Sequence, residues 1–154
     1  MRNWLILSVL LFAADQASKY WVSHSLALGQ SIVVAPFMNL VLVHNRGAAF
    51  SFLSQASGWQ HVLFIAIAIA ASLWIVYMLW KYPRQRLFCA ALSLILSGAV
   101  GNLVDRLLWG AVIDFLDFHY RGYHWPAFNV ADSAITCGAL LLVLDSFLRP
   151  ARKR

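Results

Sequence analysis

Six carboxylates, all of them aspartates, occur in the 154-residue chain, and four fall within residues 98–132. The blocks that hold them read Gly101-Asn102-Leu103-Val104-Asp105-Arg106, then Ile113-Asp114-Phe115-Leu116-Asp117, then Phe128-Asn129-Val130-Ala131-Asp132. An Asp at the centre of a lipid-facing helix costs about 2.5–3.5 kcal/mol, so acids grouped in this way point to chemistry or transport. Two carboxyls that face each other with little water share a proton. The ionised member can activate a water as base, the protonated member can hydrogen-bond the carbonyl under attack, and the pair titrates as a unit. Asp132 suits this role because it opens a helix beside Asn129 and Ala131, where free N–H groups and the helix dipole favour negative charge. Asp105 and Asp114 compete to be its partner. Asp105 precedes Arg106, which keeps it ionised, and belongs to a helix-end cluster that reads as structural. Asp114 sits on an extended segment between apolar residues and is favoured, while Asp117, three residues on, points elsewhere. No Ser or Cys nucleophile stands at a plausible spacing from a base. His119 and His124 lack a recognisable ligand spacing, so neither a metal nor another cofactor is expected.

The elements that must position these groups follow from composition. With 62% apolar residues, seven Trp and 12% charged residues, the chain reads as one integral membrane domain over residues 1–154. The expected fold is an all-α membrane protein: four transmembrane helices over about residues 4–22, 59–80, 87–108 and 131–148, with a small β-rich periplasmic segment. The outer segments are 23–58 and 109–130. The first apolar run resembles a signal peptide, but Asp15, Gln16, Ser18 and Lys19 stand where a cleavage site should lie, so a retained anchor helix is expected. Asp15 and Lys19 are four apart, share a helix face and can pair. Residues 31–43, rich in Val and Ile and broken by Pro36, read as short strands. The turn after them brings Asn45, with its amide, and Gly47, which permits a close backbone approach. Ser97, Gly98, Ala99 and Gly101 suit tight helix packing. Cys89 and Cys137 read as buried, reduced packing residues.

The formal charge of +6 does not imply nucleic acid, because the basic residues form short clusters beside apolar runs. Arg2, the loop over residues 81–86 and the tail over 149–154 hold eight of the twelve Lys and Arg residues. The positive-inside rule puts all three, and both termini, in the cytoplasm. Asp105, Asp114, Asp132 and Asn45 then collect at the outer lipid–water boundary, with Asp15 somewhat below it and only Asp145 near the cytoplasmic end. A small proton-coupled membrane transporter is the rival reading. A relay, however, spreads its acids through the depth of the membrane, and broken midplane helices are missing. A non-enzymatic assembly factor with Asp–Arg helix glue is a third.

Five blocks in register resemble the lipoprotein signal peptidase (signal peptidase II) family. They are Asp15-x-x-Ser18-Lys19, Asn45-x-Gly47-Ala48-Ala49-Phe50, Gly101-Asn102-x-x-Asp105-Arg106, Val112-Ile113-Asp114-Phe115 and Phe128-Asn129-x-Ala131-Asp132-Ser133. The resemblance implies an aspartic endopeptidase of the bacterial inner membrane, with its active site facing the periplasm and Asp114 and Asp132 as the catalytic pair. It implies diacylglyceryl-modified prolipoproteins as substrates, cut on the amino side of the lipidated cysteine, delivery from membrane lipid, and inhibition by globomycin-type cyclic peptides. Asn45 and Asn129 are expected to orient the peptide, with Gly47, Asn102 and Ala131 in the same supporting cluster. Arg106 is expected to bond substrate carbonyls or fix Asp105, Asp15 and Lys19 to support the site from behind, and residues 31–52 to form a small sheet or flap over the cleft.

Overall fold

The computed structural model describes residues 1–47 and 58–148. Ala48, Ala49 and Phe50 of the Asn45 block, the distal part of the expected flap and the basic tail lie outside the described residues. In chain order the elements are α1 (Arg2–Ser25), β1 (Ser31–Ala35), β2 (Met38–Asn45), α2 (Trp59–Lys81), α3 (Arg86–Trp109), β3 (Val112–Tyr120), β4 (Tyr123–His124) and α4 (Val130–Leu148). All four helices are long and apolar enough to cross a membrane, since about 20 residues at 1.5 Å each span the hydrocarbon layer.

The central helix is α3, which packs against the other three. Its apolar window is 50% buried, against 11% for α2 and 17% for α4, so the outer helices present most of their surface outward. Small residues set the α3–α4 spacing. A Cβ on Gly98 would collide with the Ala131 carbonyl oxygen, and one on Gly138 would stand 2.7 Å from the Ala91 carbonyl oxygen. Only hydrogen at these positions lets the two backbones approach so closely. Lower in the bundle, Ile75 and Leu79 pack on Cys89, Leu92 and Leu96.

The four strands form one antiparallel sheet in the order β1-β2-β3-β4. Gly110, at φ +69°, ends α3 and turns the chain into β3. Arg121 and Gly122, at φ +49° and +84°, make the two-residue turn into β4, the left-handed pair that matches strand twist in a hairpin. Ile113 and Phe115 pack with Leu42 onto Val22 of α1 and Leu26, the residue just past its end. Because side chains alternate along a strand, Asp114 faces the other side of the sheet.

The helices match the expected spans to within about a turn, as exposed helix ends leave boundaries loose. Two readings change. The sheet draws strands from both outer segments, and β3, buried over most of its first six residues, pairs with β2 in its middle. Cys137 is exposed, not buried as expected. Its helix is apolar all round, so sequence did not distinguish the bundle face from the outward one.

Candidate active site

Asn129, fully buried, stands immediately before α4 and organises its first turn. Its Oδ1 accepts from the Asp132 amide at 2.8 Å, and Asp132 Oδ2 accepts from the Asn129 amide at 3.3 Å. This reciprocal arrangement is a capping box with Asp in place of Glu. It leaves the Ala131 amide unsatisfied by its own helix, and Asp15 Oδ1, from α1, accepts from it at 2.8 Å. Asp132 Oδ1 in turn accepts from Asn102 Nδ2 of α3 at 2.8 Å. The start of α4 is therefore held by side chains from α1 and α3 as well as its own.

Asp114 reaches the same place from β3. Its Oδ1 accepts from Asn129 Nδ2 at 2.7 Å and its Oδ2 accepts from Asn45 Nδ2 at 3.0 Å. Asn45 Oδ1 accepts from the Gly47 amide at 2.9 Å, which sets the side chain across the turn after β2. Asn129 thus touches both Asp114 and Asp132. Asp114 is 2% exposed. Burial, together with the nearby Asp132 carboxylate, raises its pKa from 3.8 to about 7 against the hydrogen bonds from Asn45 and Asn129 and the charge of Lys19.

Behind this pair lies a buried ionic cluster. Lys19 Nζ is 2.8 Å from Asp15 Oδ2 and 2.8 Å from Asp105 Oδ2, and it donates to Asn102 Oδ1 at 3.1 Å. Asp105 Oδ2 also accepts from the Ile113 amide, one residue before Asp114. Gln16 Nε2 lies within hydrogen-bond distance of Asp15, Asp105 and the Gly101 carbonyl, at 3.1–3.3 Å. Sequence reasoning gave Gln16 no role in the site. One amide on an apolar helix has no spacing signal until α3 is known to lie against it. Gly101 is required here too, because a Cβ would stand 2.5 Å from Asp15 Oδ2. Asp105 is therefore tied into α1, α3 and the start of β3.

Of the two roles expected of Arg106, bonding substrate carbonyls or fixing Asp105, the second falls among the described residues to Lys19 and Gln16, which hold the Asp105 carboxyl. The Arg106 guanidinium donates to the Gly47 carbonyl at 3.1 Å and the Asn102 carbonyl at 3.2 Å, and lies 5.3 Å from the centroid of the Phe64 ring. It anchors the turn that presents Asn45. Asp117, as expected, lies apart. It accepts from Asn39 Nδ2 at 2.8 Å and meets His124 Nδ1 at 2.9 Å. Burial opposes its ionisation, but the His124 and Asn39 hydrogen bonds hold its carboxyl below the usual range. His119 and His124 stack with ring centroids 5.0 Å apart beside it.

Residues 7–148 match the family model described as signal peptidase (SPase) II. The chain is 56% identical over 146 residues to the lipoprotein signal peptidase of Paraburkholderia phymatum, covering 95% of this chain and 88% of that protein. It is 53% identical over 149 residues to the lipoprotein signal peptidase of Ralstonia nicotianae, covering 97% and 86%. In fold it is similar to a bacterial membrane enzyme solved by the in meso method at 2.3 Å resolution, with TM-score 0.85, 32% identity, and 100% and 93% of the two chains covered. A second such structure, at 1.9 Å resolution, gives TM-score 0.84 and 33% identity over 98% and 96%. These likenesses set the chain among peptidases and not among proton-coupled carriers: it belongs to the signal peptidase II family of membrane-integral aspartic peptidases.

Proposed function

We propose that Asp114 and Asp132 are the catalytic pair of this peptidase, and that the chain works as one membrane domain on prolipoproteins. The enzyme removes the signal peptide by cutting on the amino side of the diacylglyceryl-modified cysteine. The observation that carries the pair is the shared hydrogen-bonding of Asn129 to both acids. With one proton between them, Asp114 holds it at neutral pH, in keeping with its raised pKa. Asp132 takes a proton from the attacking water, and Asp114 hydrogen-bonds the scissile carbonyl as it becomes a gem-diolate oxygen. Asn102 and Asn129 hold the acids in register, while Asp15, Lys19, Gln16 and Asp105 fix the helices that carry them. Arg106 and Gly47 present Asn45, which supports Asp114 and is placed to orient the peptide.

The positive-inside distribution supports an inner-membrane protein with both ends cytoplasmic and the sheet, with the aspartates, on the periplasmic side. A substrate anchored by acyl chains then enters sideways from membrane lipid at the depth where its scissile bond emerges. Globomycin-type cyclic peptides would occupy the same cleft.

Asp114→Asn and Asp132→Asn should each abolish cleavage of a lipidated precursor by the purified enzyme while thermal unfolding stays cooperative. Substantial turnover by either variant rejects the pair. Asp105→Asn should mainly lower the unfolding temperature. A well-folded but inactive Asp105→Asn protein would return Asp105 to contention.

A further inference from the structure

At the end of the bundle opposite Asp114 and Asp132, Arg2, Asn3 and Trp4 from the start of α1 and Pro83, Arg84 and Arg86 around the α2–α3 connection line a cavity of about 600 Å³. Trp4 Nε1 donates to the Pro83 carbonyl at 3.2 Å, so the two walls are tied together. The three arginines are all solvent-exposed. Among the described residues no carboxylate pairs with any of them: the ion pairs involve only Lys19 and His124 as cations. Neighbouring Lys81, by contrast, lies 5.4 Å and 5.5 Å from the ring centroids of Tyr77 and Tyr82. Nor does an acid stand in the first turn of α1 or α3. Three arginines thus line one cavity without an ion-pair partner among the described residues, so an anion seated there gains their charge without displacing an existing pair.

We infer that this cavity binds the headgroup of an anionic phospholipid. The guanidinium fork matches phosphate oxygens in a two-pronged contact that an ammonium cannot make. Lipid is the source because the cavity lies at the mouth of membrane-spanning helices. Trp4 sits at the depth favoured by interfacial aromatics, and Ile6 and Val9, 50% and 62% exposed, continue the α1 surface for acyl chains. Orientation alone does not account for the arrangement, since the positive-inside effect counts charges near helix ends and does not require them to converge. The orientation proposed above enters only in naming the leaflet as cytoplasmic. The site is remote from Asp114 and Asp132, so peptidase activity and lipid binding can fail independently.

The test is native mass spectrometry of the full chain released from detergent, titrated in turn with phosphatidylglycerol, diphosphatidylglycerol, phosphatidylcholine and inorganic phosphate. The two anionic lipids should form retained one-to-one adducts and phosphatidylcholine should not. Changing Arg2, Arg84 and Arg86 together to Gln should weaken the adducts about fivefold per arginine, on the order of a hundredfold in all. The matching triple Lys variant, which keeps the charge that sets orientation, should retain them at reduced affinity. Cleavage of a lipidated precursor by both variants verifies that they are folded. Unchanged binding by the Gln variant, equal binding of phosphatidylcholine, or loss of adducts by the Lys variant as complete as that by the Gln variant overturns the assignment. Displacement of the lipid by equimolar inorganic phosphate would also overturn it, since that marks a free-anion site.

Discussion

Asp114 is a buried acid whose folded-state pKa of about 7 lies above the ordinary 3.8. The folded protein therefore holds that proton more tightly than the unfolded chain. The stability this contributes is fully present below about pH 4 and is lost as pH rises through about 7. Asparagine at 114 cannot ionise. The unfolding temperature of Asp114→Asn should accordingly gain on that of the unsubstituted protein as pH is raised from about 5 to about 8. Activity should run the other way. Turnover of a lipidated precursor should fall as pH passes above about 7, when the pair loses its shared proton. Lys19, 2% exposed between Asp15 and Asp105, makes a second residue-scale case. Lys19→Met leaves both carboxylates buried without their cation and should cost about 3–5 kcal/mol in denaturant unfolding. Most of these side chains were legible beforehand, because an acid or a lysine in an apolar chain stands out. Gln16 and the true partner of Asp105 were not, since both depend on how α1 lies against α3.

Among the elements, close contact of α3 with α4 decides whether Asn102 reaches Asp132. Gly98→Ala places a methyl group against the Ala131 backbone, where no flexible side chain can yield. It should destabilise the protein by about 1–3 kcal/mol and reduce turnover more than substrate affinity, because the acids shift while the rest of the cleft remains. Comparing kcat and KM for the variant checks this. The spans themselves were readable from apolar runs of about 20 residues. The strand β3 was harder to read. Its first six residues are covered on both faces, and their apolar run, broken by Asp114 and Asp117, lacks the polar–apolar alternation of a half-exposed strand.

For the whole molecule, the outward faces of α2 and α4 are apolar, and Asp105, Asp114, Asp117 and Asp132 lie at the end that carries the sheet. With Cys89 and Cys137 replaced by Ser, a cysteine introduced at Gly122 should react in intact spheroplasts with a membrane-impermeant maleimide, and one introduced at Arg84 only after lysis. The reverse pattern would invert the proposed orientation. The Lys and Arg distribution carries the proposal of which way round the bundle sits, and this labelling decides it. Which faces of the helices meet was not legible in the sequence, because helices apolar on every side carry no record of their neighbours.

The first turn of α4 is completed by Asp15, more than a hundred residues earlier in the chain, and by Asn102 of α3. On the proposed pairing, a polypeptide still emerging from the ribosome possesses no competent hydrolase, because Asp132 and the turn that holds it belong to the fourth helix. Cutting power would then wait for the fourth helix to dock against Asp15 and Asn102.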